Sequence, residues 1–278
     1  MAADSLLAAM ETCGLAGESW AAWRTVAKVL DAEALDADEL ALFERCTGRT
    51  RPPTEPPAEV FIIAGRRSGK TRFAGACAVR AATKRYVLAP GERAAVAIAA
   101  ADRDQARVAL DYATAPFRAR DDLRGLVQPR TPWRALRDLV TRETRWGIDL
   151  ASGVSIEVRT SHYGRVRGRT FALALADEVA FWQRDDGENP ASEVLAAIRP
   201  GLTTLGGPLI AISTPYARTG ALWDAFQHHY ANDDPRVLVW KAPSRVMNPT
   251  LDERMILDAL DRRERGARRM ARRVPRRS

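Results

Sequence analysis

Apolar positions between residues 4 and 46 recur at near-helical spacing: Leu6, Leu7 and Met10, then Trp20, Trp23, Ala27 and Leu30, then Leu35, Leu40 and Phe43. That period predicts a lead-in of short amphipathic helices. Residues 47–57 (TGRTRPPTEPP) hold four prolines, each fixing φ and removing a backbone donor, so a loop closes the lead-in. The period then changes. Val60-Phe61-Ile62-Ile63-Ala64 is a short apolar run that ends in the glycine-bearing loop 65–69, and residues 70–83 are rich in helix formers. This reads as strand, loop, helix.

Further along, an apolar segment spans 94–101 and a helical pattern 104–118, followed by a mixed region around Thr131-Pro132-Trp133. Two alternating runs, 142–150 and 154–160, flank Ala151-Ser152-Gly153 and predict a hairpin. Apolar strands are expected at 171–176, 208–213 and 237–240, with helices at 192–198 and 220–230. Thr250-Leu251-Asp252-Glu253 reads as a capping box opening a last helix, 251–260. Strands alternating with helices imply an α/β fold with a mostly parallel, helix-flanked central sheet. The expected division is a lead-in and proline-rich loop at 1–57, a main domain at 58–260, and an arginine-rich tail at 261–278.

Charge changes this picture in one place. The net charge of +8 is concentrated in the tail, where nine arginines stand against Asp261 and Glu264. Residues 1–40, by contrast, hold eight acids and two bases. The tail reads as disordered alone and suited to a polyanion; the mildly basic middle is an ordinary solvated surface. At 46% hydrophobic and 28% charged residues, the composition excludes wholesale disorder and fibrous repeats. No cationic leader and no run of about 18 apolar residues is present, so a cytoplasmic, unanchored chain is expected. Cys13, Cys46 and Cys77 make no C-x-x-C pair, and His162, His228 and His229 have no metal-ligand spacing.

The chemistry-bearing residues fall in three places. In Ala64-Gly65-Arg66-Arg67-Ser68-Gly69-Lys70-Thr71, a backbone nest faces phosphate oxygens, Lys70 reaches the β and γ phosphates, and the Thr71 hydroxyl meets Mg²⁺. Ala64 stands where such phosphate loops (P-loops) carry their first glycine, with Gly65 one place later. Phe171 to Ala176 forms an apolar strand ending in Asp177-Glu178, where Asp177 is placed to support the metal and Glu178 to polarise the attacking water. A third strand, Leu209 to Ile212, runs into Ser213-Thr214-Pro215, hydroxyls placed to sense the γ-phosphate or simply to cap a helix. Arg66, Arg67, Arg165, Arg167 and Arg169 are candidates to stabilise charge on a transferring phosphoryl group. Trp20 and Trp23 read as staples joining the lead-in to the main domain.

Taken in order, these segments resemble the ATPase domain of the large terminase subunit of tailed bacteriophages. The residues carrying the resemblance are Ser19 to Arg24, Cys46 to Pro53, Gly65 to Thr71, Asp177-Glu178, Ser213-Thr214-Pro215 and Met247-Asn248-Pro249. It implies an additional-strand, catalytic-glutamate P-loop NTPase that hydrolyses ATP with Mg²⁺ and drives duplex DNA into a procapsid. The catalytic set it implies is Glu178, Lys70 and Arg66. Gly65, Arg67, Ser68, Gly69, Lys70, Thr71 and Thr214 would hold nucleotide, Thr71 and Asp177 the metal, and the segment around Arg49 to Pro53 would meet adenine. A portal protein, a small terminase subunit and a homo-oligomeric ring are the partners it implies, inside a bacterial host. Such subunits usually continue into a ribonuclease H-like nuclease domain, and this chain is expected to lack one. Two alternatives stand beside this reading: a catalytically idle remnant binding DNA through its tail, and a helicase-like translocase.

Overall fold

The computed structural model describes residues 5–100, 103–118, 140–160, 169–182, 191–252 and 254. Their helices are α1 (Leu6–Thr12), α2 (Ala21–Leu30), α3 (Ala37–Thr47), α4 (Lys70–Thr83), α5 (Arg103–Arg118), α6 (Ala191–Thr203), α7 (Ala221–His229) and the single turn α8 (Ser244–Met247). The strands are β1 (Glu59–Ala64), β2 (Ala94–Ala100), β3 (Val140–Thr144), β4 (Gly147–Leu150), β5 (Val154–Thr160), β6 (Thr170–Asp177), β7 (Leu209–Ser213) and β8 (Val237–Ala242). They form one sheet in the order β3-β4-β5-β2-β6-β7-β1-β8. From β5 to β8 in that order every pairing is parallel, and β4 and β3 add antiparallel at one edge.

Side chains alternate across a strand, and a parallel sheet is covered on both faces. In β2, Val96 and Ile98 face the layer of α1 to α5, whereas Ala95, Ala97 and Ala99 face α6 and α7. β1 divides the same way, with Val60 and Ile62 on the first face and Phe61 and Ile63 on the second. Continuous apolar runs of five to eight residues are what burial on two faces demands.

The lead-in helices share the first of these cores. Leu6, Met10, Trp23, Val26 and Phe43 pack in one cluster with Phe73 of α4 and Trp240 of β8. Asp31, just past α2, accepts from the Leu6 amide at 2.6 Å and pairs with Arg80 of α4, tying α1, α2 and α4 together. α3 opens on a capping box in which Asp36 and Glu39 satisfy each other's amides, and closes on Gly48 at φ 71°.

Two expectations are corrected. The run 142–150 is not one strand: it breaks at Arg145-Trp146 into β3 and β4, so β3, β4 and β5 form a meander. Thr144 closes that turn, its hydroxyl accepting from the Trp146 amide and donating to Gly147 O. At the other end, Thr250 does not cap a helix. Its hydroxyl donates to Asn248 Oδ1 at 2.7 Å, and Asp252 is the residue that accepts from the Arg254 amide, at 2.9 Å. The rest of the expected last helix, the 261–278 tail and the segment around Trp133 lie outside the described residues. Among the described residues no helix is long and apolar enough to cross a membrane.

Candidate active site

β1, β6 and β7 are neighbours and parallel, so their carboxyl ends open on one edge of the sheet, where ligands collect in folds of this class. At the end of β1 the chain turns through Gly65 to Gly69 into α4. A Cβ on Gly65 would lie 2.0 Å from Ser244 Oγ, so only glycine lets α8 approach. Arg67 adopts φ 60° and Gly69 φ 95°, the sparsely populated region in which successive amides curl into a nest. Lys70 opens α4 and is 6% exposed. Its ammonium donates to Ala64 O and Gly65 O at 3.1 Å and to Thr214 Oγ1 at 2.8 Å, and lies 3.6 Å from Glu178 Oε1.

The second wall is built from β6 and β7. Asp177 is the last residue of β6 and is buried; Glu178 follows at φ 50° and stays partly open to solvent. Glu178 Oε2 accepts from Ser213 Oγ at 3.1 Å and from the Thr214 amide at 3.0 Å. Ser213 Oγ also accepts from the Ala180 amide, and the Trp182 indole donates to Asp177 O at 2.9 Å. Of the four non-glycine residues with positive φ among those described, two, Arg67 and Glu178, flank this one cleft. Strain of that kind concentrates where a backbone is shaped for a ligand.

β7 stands between β1 and β6, so one strand separates the strand that leads into the phosphate loop from the strand that ends in the acids. Among solved structures, the chain is similar to the HK97 bacteriophage large terminase at a TM-score of 0.54 and 15% identity, over 88% of this chain and 52% of that one. The chain has a P-loop NTPase fold. It spans about half the length of the HK97 large terminase. The Thermus phage P74-26 large terminase ATPase domain also matches, at a TM-score of 0.46 and 19% identity, over 79% of this chain and 85% of that one. So does the large terminase of a thermophilic bacteriophage in complex with ADP, at 0.44 and 15%, over 71% of this chain and 43% of that one. No protein-family model and no curated protein sequence matches.

The residues around this loop and Asp177 would fit a nucleotide and a divalent cation. Asp177 Oδ1 and Ser68 Oγ are buried without a hydrogen-bond partner, an unfavourable state that a bound cation and a phosphate oxygen would relieve. Among the described residues no cluster of three or more His, Cys, Asp or Glu is present; Mg²⁺ held by a hydroxyl, one carboxylate, phosphate oxygens and water needs none. Burial, and then the Glu178 charge, push the Asp177 carboxyl up to about 6, with Lys70 opposing. Burial lowers Lys70 from its ordinary value, and Glu178 and Asp177 hold it up.

The Asp177 shift has a measurable consequence. Between about pH 4 and 6 the folded chain keeps a proton that the unfolded chain has released, so stability falls as pH rises through that window and stays lower above it. In EDTA, Asp177→Asn should melt about 3–6 °C above the unsubstituted chain at pH 7.5. That advantage should shrink towards pH 4, where both side chains are neutral. Equal advantages at both pH values, read by calorimetry, would place the strain elsewhere.

The structure brings Gly65, Ser68, Gly69, Lys70, Asp177, Glu178, Ser213 and Thr214 together. Arg66 and Arg67 are exposed on the P-loop. Arg169 is corrected as a candidate for phosphoryl charge: it precedes β6 at the end opposite Asp177, about 26 Å away by strand rise, and pairs with Glu157. Arg165, Arg167 and His162 lie outside the described residues. Arg49 is buried, its guanidinium donating to Asp234 O and Val237 O, so it pins the loop after α3 to the start of β8. Sequence reasoning missed what Trp23, Ser244 and Asn248 do. The Trp23 indole donates to Ser68 O at 2.6 Å, and Asn248 Nδ2 donates to Arg67 O at 3.0 Å. Helical spacing marks Trp23 as a staple onto the main domain, and only the family resemblance marks Asn248; nothing in local spacing tells that either touches the P-loop.

Proposed function

We propose that the chain is the ATP-hydrolysing motor domain of a DNA-packaging machine of the phage large terminase kind, acting on duplex DNA. The observation that carries this reading is the contact set in which Lys70 of the P-loop, Glu178 after β6 and Thr214 after β7 meet within 2.8–3.6 Å. Three parts that a nucleotide motor must connect are thereby in one hydrogen-bonded unit. The fold shared with the HK97 large terminase supports the packaging assignment.

In this reading the Lys70 ammonium leaves the Ala64 and Gly65 carbonyls for the β and γ phosphates, and the amides of the loop receive the remaining oxygens. Thr71 and Asp177 would hold Mg²⁺, which would neutralise charge on the phosphates. Glu178 accepts hydrogen-bonded donors from Ser213 and Thr214 on one side and orients the attacking water with its remaining acceptor capacity. Arg66 or Arg67, exposed on the loop, supplies further positive charge. Because Thr214 touches both Lys70 and Glu178, loss of the γ-phosphate alters its partners, and this is the step that would move β7 and the segment after it against DNA. A portal protein, a small terminase subunit and further copies of this chain in a ring complete the proposal.

The test is steady-state release of phosphate from Mg²⁺-ATP by the full chain, with and without duplex DNA. Hydrolysis that rises several-fold with DNA is expected. Absence of hydrolysis under both conditions, with DNA still bound, would replace the motor by an idle DNA-binding protein.

A further inference from the structure

The P-loop is held from outside by two side chains that lie far from it in sequence. Trp23 on α2 is fully buried, stacks on Phe73 of α4 with ring centroids 4.5 Å apart, and donates its indole N–H to Ser68 O. Asn248, just past α8, donates to Arg67 O and is itself oriented by Thr250, whose amide and hydroxyl both donate to Asn248 Oδ1. Arg67 O and Ser68 O are the carbonyls of consecutive peptide units. A peptide is planar and trans, so its carbonyl and the following N–H point in opposite directions. Fixing Arg67 O and Ser68 O on the outside of the loop therefore turns the amides of Ser68 and Gly69 inward.

We infer that Trp23 and Asn248 are positioning residues for nucleotide binding, setting the two peptide planes whose amides face the phosphates. The inference rests on the proposed nucleotide function and adds residues to it that touch neither substrate nor metal. Two further contacts leave the loop little freedom to turn over. The Trp20 ring closes against Gly69, where an added Cβ would meet it at 2.8 Å. Arg72, in the first turn of α4, lies over the Trp20 ring at 5.0 Å from its centroid. The lead-in is thereby a structural part of the nucleotide site: its helix α2 and the segment after α8 grip adjacent peptides from opposite ends of the chain.

The experiment compares the full chain with Trp23→Phe, which keeps an aromatic ring for Phe73 and loses the donor, and with the more exposed Asn248→Ala. The probe is Mg²⁺-ADP, read by titration calorimetry and by the rise in melting temperature at saturation. Each variant should bind about five- to tenfold more weakly, with the nucleotide-induced rise in melting temperature reduced and KM for Mg²⁺-ATP raised more than kcat is lowered. A merely structural Trp23 would lower the melting temperature equally with and without nucleotide and leave the dissociation constant unchanged; that result for both variants overturns the inference. If the unsubstituted chain itself takes up no Mg²⁺-ADP, the proposed function fails first and this inference with it, an outcome distinct from normal binding by all three chains.

Discussion

Glu178→Gln should lower kcat for Mg²⁺-ATP by about 10²–10⁴-fold, the range general-base catalysis supplies, while nucleotide binding is retained. Glutamine has the same length and an oxygen that can still accept from Ser213 Oγ and the Thr214 amide, the two donors that hold Glu178 at 3.0–3.1 Å. The backbone at φ 50° is unaffected. What is lost is the negative charge and its capacity to draw a proton from water. That charge also stands 3.6 Å from the Lys70 ammonium, so its removal frees Lys70 for phosphate, and the dissociation constant should be equal or lower. Single-turnover phosphate release and a binding titration on the same preparation separate the two effects. A kcat within about threefold of the unsubstituted chain would remove Glu178 from the base role.

Lys70→Ala should abolish binding rather than turnover, weakening Mg²⁺-ATP affinity by more than 100-fold. Charge-assisted hydrogen bonds contribute about 1.5–3 kcal/mol each, and two of them to phosphate oxygens account for that factor. The fold should survive. Removal takes away an ammonium whose burial is unfavourable, and the acceptors that it leaves, Ala64 O, Gly65 O and Thr214 Oγ1, are two backbone carbonyls and a hydroxyl with no charge to compensate. Loss of the lysine also removes the positive charge that restrains Asp177, so the Asp177 carboxyl should release its proton at a higher pH than in the unsubstituted chain. Circular dichroism close to that of the unsubstituted chain, together with absent nucleotide heats, is the expected pair. Affinity within tenfold would show that phosphate is held elsewhere.

Much of this site is legible in the sequence because its parts are local. A run of apolar residues followed by glycines and Lys70-Thr71, or by Asp177-Glu178, carries its own strand and its own exit, and burial on two faces of a parallel sheet makes such runs conspicuous. The β3–β4 turn is not legible, because Arg145 and Trp146 are not turn formers and the closure depends on the Thr144 hydroxyl. Gly147, the one helpful signal, is glycine for another reason: a Cβ there would meet Ile156 O at 2.3 Å. The grip on the P-loop is illegible for a different cause. Trp23 and Ser68 are 45 residues apart, Asn248 and Arg67 181, and no periodicity within a window reports contacts at such separations. Arg49 is a related case. The family resemblance places it in the segment that would meet adenine, and its guanidinium serves two backbone carbonyls of the β8 approach.

The strand order also sets when the P-loop can exist. β1 is flanked only by β7 and β8, which leave the ribosome some 145 to 180 residues later. β2, β5 and β6 pair among themselves, so that half of the sheet has its partners early, whereas β1 emerges as an apolar strand with none. Contacts of such high order are slow to close and leave sticky edges exposed meanwhile. The nascent chain therefore carries Lys70 and its loop unshaped until β7 and β8 have been made, and the P-loop is among the last parts of this sheet to take its form.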